Sequence, residues 1–321
     1  MTSLARESVV VVAGGAGFIG SHLCERLLAD GYRVVAVDNL STGSADNLAH
    51  LPVGEGLVVV DGDIVSTETM TRLNDVVDRN DVSAVLNFAS PASPPAYLAR
   101  PLDSLAVGST GTWNLINYAL SCDARFLMAS TSEVYGDPLE HPQAEHYWGN
   151  VNPIGERSVY DEAKRFSEAL VAAHERSAGL DARIVRIFNT YGPRMQPDDG
   201  RVVTNMVHQA LDGQPLTIYG DGSQTRSFCY VSDEVDGIVR LLQSDVRGPV
   251  NIGNPHEFTI RELADVIADV IDVELSISYL PLPSDDPKVR RPDIGRATEL
   301  LGWEPQVQLA DGIRLMVESL R

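Results

Sequence analysis

The sequence predicts an α/β protein, a doubly wound parallel sheet followed by a smaller C-terminal α/β lobe. Three observations carry that prediction. Short β-branched runs alternate with helical segments through the first half of the chain, the pattern that crossovers between parallel strands produce. A glycine-rich turn stands between the first such run and the first amphipathic segment. The 321 residues exceed one typical domain and leave room for a second lobe.

Residues 9–13 form the first strand, and Gly14-Gly15-Ala16-Gly17-Phe18-Ile19-Gly20 connects it to an amphipathic helix over 21–29. Glycines at 14, 17 and 20 permit a tight turn, a close approach of backbone to a pyrophosphate and close packing of helix on sheet. The helix N-terminus then faces the phosphates, so a dinucleotide is the ligand this segment suits. Residues 33–37 are the second strand, closed by Asp38. A carboxylate there accepts from the adenosine ribose 2′-OH and repels a 2′-phosphate, favouring NAD over NADP. The alternative reading of Asp38 is a cap on the following turn. After a strand over 57–60, Asp63 stands where an adenine contact forms, although Gly62-Asp63 is equally good turn chemistry.

Residues 82–88 are a further buried strand ending in Ala89-Ser90-Pro91-Ala92-Ser93-Pro94-Pro95. In a doubly wound sheet this stiff loop lies at the site edge, because ligands bind beyond the carboxyl ends of parallel strands. The pattern predicts one helix over 102–120, with Leu105, Trp113, Leu115, Ile116 and Ala119 as core or subunit-interface positions. A strand over 125–129 leads into Ser130-Thr131-Ser132-Glu133-Val134-Tyr135-Gly136, which taken alone is a polar loop.

Of the 25 basic residues only Lys164 and Lys288 are lysines, and Lys164 follows Tyr160 by one helical turn. Positions i and i+4 share a helix face, so phenol and ammonium project into the same space. A phenol's pKa is near ~10, and a neighbouring cation lowers it by favouring the phenolate. Tyr160 then suits the role of general base towards a hydroxyl, with Lys164 its electrostatic partner and Thr131 within reach of the same hydroxyl. From the pair alone, a partly buried tyrosine beside a snorkelling lysine is an equal reading.

Composition excludes several classes. The formal net charge is −20, so nucleic acid and anionic membranes are repelled. An anionic ligand therefore needs local arginines, and candidates occur at Arg194 with Arg201, at Arg226, and at Arg290 with Arg291. No apolar run reaches the ~20 residues of a membrane helix. Residues 1–8 lack the features of a secretory signal. Cys24, Cys122 and Cys229 are odd in number and far apart, the pattern of free thiols in a reducing cytoplasm. No metal-ligand spacing occurs.

In the second half, strands are expected over 180–187, 216–219, 228–231, 250–253 and 275–279, and helices over 202–211, 233–242, 260–271 and 297–301, with Thr259 as a cap. Residues 189–201 and 282–293 read as Pro-rich polar loops. The expected division is a dinucleotide domain over 1–187 to which 228–250 return, and a substrate lobe from 188–227 and 251–321.

The glycine turn, Thr131-Ser132-Glu133-Val134-Tyr135-Gly136 and Tyr160-x-x-x-Lys164 together resemble the extended short-chain dehydrogenase/reductases, the Rossmann-fold family of NAD-dependent nucleotide-sugar epimerases and dehydratases. Further likenesses are His141-Pro142-Gln143, Asn152-Pro153-Ile154-Gly155, Arg186-Ile187-Phe188-Asn189-Thr190-Tyr191-Gly192-Pro193-Arg194-Met195, Gly222-Ser223-Gln224-Thr225-Arg226, Arg291-Pro292-Asp293-Ile294 and Gly302-Trp303-Glu304-Pro305. They run nearly end to end. The resemblance implies oxidation of C4 of UDP-glucuronate by NAD, loss of CO2 from the resulting β-keto acid, and hydride return to give UDP-xylose. It implies NAD contacts at Gly14, Gly17, Phe18, Ile19, Gly20, Asp38, Asn39, Asp63, Ile64, Ala89, Tyr160 and Lys164. Catalysis would rest on Thr131, Tyr160 and Lys164, with Ser132, Glu133 and Arg226 orienting or protonating the sugar. Ser90, Tyr97, Asn189, Arg194, Val203, Thr217, Tyr219, Arg226 and Arg291 would bind the UDP-sugar. A homodimer through helices near 105–120 and 160–177 is also implied. Ser132 stands where the family's dehydratases carry an acid, which disfavours dehydration. Asn87, Ala106 and Gly108 depart from the family's His, Lys and Asn. A 4-epimerase of the same fold, and a non-catalytic NAD-binding sensor or scaffold, are the alternatives.

Overall fold

The computed structural model describes residue 4, residues 7–282 and residues 289–321. Lys288 and part of the expected 282–293 loop lie outside the described residues, as do most of residues 1–6. The first half contains strands β1 (Val9–Ala13), β2 (Arg33–Asp38), β3 (Leu57–Asp61), β4 (Val82–Asn87), β5 (Arg125–Thr131) and β6 (Ala182–Ile187). Helices α1 (Phe18–Ala29), α2 (Thr67–Val76), α3 (Pro94–Ala99), α4 (Pro101–Ala106), α5 (Thr112–Ser121) and α6 (Ser158–Ala178) lie among them. Then follow β7 (Thr190–Tyr191), α7 (Val202–Leu211), β8 (Leu216–Tyr219), β9 (Thr225–Ser227), β10 (Cys229–Tyr230), α8 (Val231–Gln243), β11 (Pro249–Ile252), β12 (Glu257–Thr259), α9 (Ile260–Ile271), β13 (Ile277–Leu280), β14 (Val289–Arg290), α10 (Gly295–Leu301) and α11 (Leu309–Leu320).

Seven strands form one parallel sheet in the order β11-β6-β5-β4-β1-β2-β3. Val9, Val10, Val11 and Val12 of β1 are all buried, as a central strand covered on both faces requires. Chain order reverses between β1 and β4, and the crevice beyond their carboxyl ends is where such sheets take ligands. This doubly wound Rossmann arrangement is the fold class expected. Strand β11 occupies the edge beside β6, so residues 251 and 252, expected in the smaller lobe, belong to the large sheet.

The shorter pairings lie apart from that sheet: β8 pairs with β13, and β9 with β12 and β14. Helix α9 packs here, fixed at its start by a capping box in which Thr259 and Glu262 satisfy each other's amides.

The helix expected over 102–120 is present and runs unbroken over 101–121, with a π-helical turn inside it. That turn, Val107–Gly111, joins α4 to α5. Gly108 lets α6 pack onto this turn's backbone: a Cβ there would stand 2.7 Å from the Ala163 Cβ. Ser167 Oγ donates to the Gly108 carbonyl at 2.6 Å. The turn's wider spacing therefore leaves that carbonyl paired across to α6.

Candidate active site

A cleft of about 720 Å³ runs along the carboxyl edge of the sheet from the glycine turn to β9. At its dinucleotide end, Gly14 holds φ +77°, and a Cβ on Gly20 would stand 1.9 Å from the Gly14 carbonyl oxygen. Only glycines allow this turn. No side chain caps the N-terminus of α1, whose first residues Phe18, Ile19 and Gly20 line the cleft. Asp38 Oδ2 accepts from the Ala16 amide at 2.9 Å and Oδ1 from the Leu40 amide at 2.8 Å. Burial raises the Asp38 pKa, and these amides oppose the rise. Asp63 accepts from the Val65 amide at 2.8 Å and from Asn39 Nδ2 at 3.1 Å, so its turn role and its place in the cleft coexist. Ile64 and Ala89 complete this wall. An uncapped helix start, a turn closed to side chains and a carboxylate at the end of β2 fit NAD's pyrophosphate and adenosine ribose.

At the other end, β5 and α6 bring Thr131, Tyr160 and Lys164 together. Tyr160 is buried and stacked on Tyr97 with ring centroids 5.2 Å apart, and the Thr131 hydroxyl is among the groups that draw its pKa down. Lys164 Nζ donates to the Ala129 carbonyl at 2.9 Å and stands 5.9 Å from the Tyr160 ring centre. Burial pushes the Lys164 pKa down to about 8, which leaves it charged at neutrality.

Burial pushes the Tyr160 pKa up to about 12, and the Arg201 charge and the Thr131 hydroxyl pull it back. Lys164 keeps two further donors besides the one given to β5.

Glu133, in the turn after β5, is clamped. Its Oε2 accepts from Arg157 at 2.7 Å and from Arg290 at 3.2 Å, while Arg290 also donates to the Ser132 carbonyl at 2.8 Å. Burial alone would raise the Glu133 pKa, but Arg290 and Arg157 outweigh it and hold the carboxyl at about 2. Arg226 lines the cleft here, donating to the Thr225 carbonyl at 2.8 Å, and adds to the charge on Glu133. Asp161, adjacent to Tyr160, is buried with one carboxylate oxygen lacking a hydrogen bond. Burial and the Glu133 charge raise its pKa to about 7.

Ser90, Tyr97, Ser132, Asn189, Arg194, Val203, Thr217 and Tyr219 also line the cleft. Arg194 pairs with Glu25 of α1 and donates towards His50, so its guanidinium stands on the dinucleotide side. Arg291 does not line the cleft: its guanidinium lies 3.6 Å from Glu257, and Arg290 takes the inward place. Neighbouring residues of an extended segment point to opposite sides, and the sequence shows an arginine at both positions. Arg157 and Asp161 escaped the motif reading, although i, i+4 spacing from each other and proximity to Tyr160 marked them. Among the described residues no cluster of potential metal ligands occurs, and no helix is long and apolar enough to cross a membrane.

A NAD-dependent nucleotide-sugar enzyme is the class that this fold and cleft define. The model of the NAD dependent epimerase/dehydratase family matches residues 10–253, and the chain belongs to that family. It is 49% identical to UDP-glucuronic acid decarboxylase 1 of Arabidopsis thaliana, over 97% of this chain and 69% of the relative. It is 46% identical to UDP-glucuronic acid decarboxylase 1 of Danio rerio, over 96% of this chain and 72% of the relative. Within the family the chain therefore stands with the UDP-glucuronic acid decarboxylases. Among solved structures, a Thermus thermophilus UDP-glucose 4-epimerase complexed with NAD superposes with a TM-score of 0.86 at 29% identity, over 97% of this chain and 98% of the other.

Proposed function

We propose that this enzyme converts UDP-glucuronate to UDP-xylose and CO2 through a transient 4-keto sugar. The observation that carries the proposal is that Tyr160, Thr131 and Lys164 line the same cleft that begins at the glycine turn. Tyr160 takes the proton from O4, Thr131 aligns that oxygen, and Lys164 anchors the helix face to β5 while contributing positive charge. When bound, NAD supplies the hydride acceptor for C4 and the source of its return. The 4-keto acid loses CO2 because the carbonyl delocalises the electrons left behind, and a proton is taken up at C5. Glu133 is held ionised, so it orients rather than donates. With Ser132 in front of it, the turn has no acid suited to expelling hydroxide, which supports decarboxylation over dehydration.

Residues 188–227 with the segments after 252 would hold the uridine diphosphate, with Arg226 supplying charge that a chain of net −20 otherwise lacks. We also assign a homodimer and a cytoplasmic location. Exposed Leu98, Leu102, Leu105, Trp113 and Phe166 on α3 to α6 support the first, and three free thiols support the second. Light scattering at micromolar concentration checks the dimer. Incubation with UDP-glucuronate, following CO2 and the sugar product, tests the reaction. Release of CO2 with UDP-xylose is expected, whereas UDP-galacturonate without CO2 would replace this reading with 4-epimerisation, and no turnover would leave an NAD-binding sensor.

A further inference from the structure

A base that takes a proton while hydride leaves the same carbon tolerates little misplacement of its oxygen. A phenol oxygen lies on the long axis of its own ring, so spinning the ring leaves that oxygen in place, whereas tilting the ring towards either face moves it. What stands on the faces of Tyr160 therefore helps to fix the reacting atom.

Tyr97 covers one of them. Its ring centroid lies 5.2 Å from that of Tyr160 with only 9° between the two planes. At that separation parallel rings are slid past one another rather than eclipsed, the arrangement their quadrupoles favour. Both residues are buried, so the contact also keeps water from that face of the phenol. Tyr97 comes from α3, and Tyr160 from α6. Helix α3 opens on Pro94 and Pro95, whose rings preset its first backbone angles. It is backed in turn by the loop before α7: a Cβ on Gly200 would stand 2.7 Å from Pro95 Cγ, so that loop packs its backbone onto the proline. The Tyr97 hydroxyl takes no part in this. It is buried without a hydrogen-bond partner among the described residues, so packing rather than hydrogen bonding holds the side chain.

We propose that Tyr97 is a positioning residue, whose ring, stacked on Tyr160, holds the phenol oxygen at the place the reaction requires. The inference rests on the role of Tyr160 assigned above. A contact with the sugar, the role that the sequence resemblance implies for Tyr97, would use its hydroxyl, whereas positioning uses its ring. Substitutions that remove one and keep the other separate the two.

Turnover of UDP-glucuronate is measured for the NAD-loaded protein and variants, with the calorimetric affinity for UDP-xylose as a check that the cleft is intact. Tyr97→Leu removes the ring and is expected to lower kcat about tenfold to a hundredfold, the cost of displacing a reacting group by about 1 Å. KM and the UDP-xylose affinity stay within about threefold, because the loss falls on the reacting geometry and not on binding. Tyr97→Phe keeps the ring and holds kcat within about twofold of wild type. In the Tyr160→Phe background Tyr97→Leu lowers the residual rate no further, since no oxygen is left to position, whereas a side chain that merely supported the fold would cost the same factor in both backgrounds. Unchanged kcat in Tyr97→Leu, equal losses in Tyr97→Leu and Tyr97→Phe, a rise in KM alone, or full additivity with Tyr160→Phe overturns the assignment. Should Tyr97→Leu fail to fold, Tyr97→Met, which fills the volume with a flexible chain and no flat ring, is read in its place by the same outcomes. Near-normal turnover in Tyr160→Phe would instead sink the role of Tyr160 itself, whatever the Tyr97 variants do.

Discussion

The two ends of the cleft hold their charged groups by opposite means. The dinucleotide end uses backbone: a turn closed to side chains at Gly14 and Gly20, an uncapped helix start, and Asp38 tied to two amides. The sugar end uses side chains: Glu133 between Arg157 and Arg290, and Arg201 against Asp199. The carboxylates show the contrast. Burial wins at Asp38 and raises its pKa, whereas at Glu133 the arginines overcome burial and lower it. A site held by peptide groups keeps its geometry at any pH, while one held by ion pairs keeps it only while both partners are charged.

Variants sharpen this contrast. The largest effect is expected from Tyr160→Phe, which removes the proposed proton acceptor at the other end. Turnover should fall about 10²–10⁴-fold, the range for a lost general base, with NAD affinity near wild type by fluorescence titration. A comparable loss of NAD affinity would show that the two ends are not separable.

Next is Gly20→Ala, whose added Cβ stands 1.9 Å from a backbone oxygen that cannot yield as a side chain can. NAD binding should weaken at least about tenfold and the melting temperature should drop, as overpacking by about 1–3 kcal/mol predicts. Asp38→Asn is smaller: NAD should weaken about tenfold through loss of a charged acceptor, and discrimination against NADP should narrow. Unchanged discrimination would reduce Asp38 to a turn cap.

The smallest effect separates the ends by pH. The Glu133 carboxyl is held at about 2 against an ordinary 4.5, so its stabilisation is complete above pH 4.5 and is lost as pH falls towards 2. The Asp38 pKa is raised above its ordinary 3.8, so its ionisation subtracts stability as pH rises through its titration. Acid unfolding of Glu133→Gln should therefore be flatter over pH 2 to 4.5, while Asp38→Asn should gain relative stability on the neutral side. Denaturant midpoints across that range check both signs.

Much of the dinucleotide end was legible because its parts are neighbours in the chain, and Tyr160 with Lys164 because one helical turn joins them. The need for glycine at 108 was not, since what crowds it is Ala163, far along the sequence. Nor was the choice of Arg290 over Arg291, which depends on how β14 is turned when it pairs with β9.

By itself the sequence determined the parallel sheet, the glycine turn, the acidic end of β2 and the phenol with its lysine, because strand and helix periodicities and glycine sterics act over a few residues. Tertiary structure alone decided which arginines face the cleft and that Glu133 stays ionised between Arg157 and Arg290. Those are matters of field and desolvation, which depend on distances through space between segments that the chain order keeps apart.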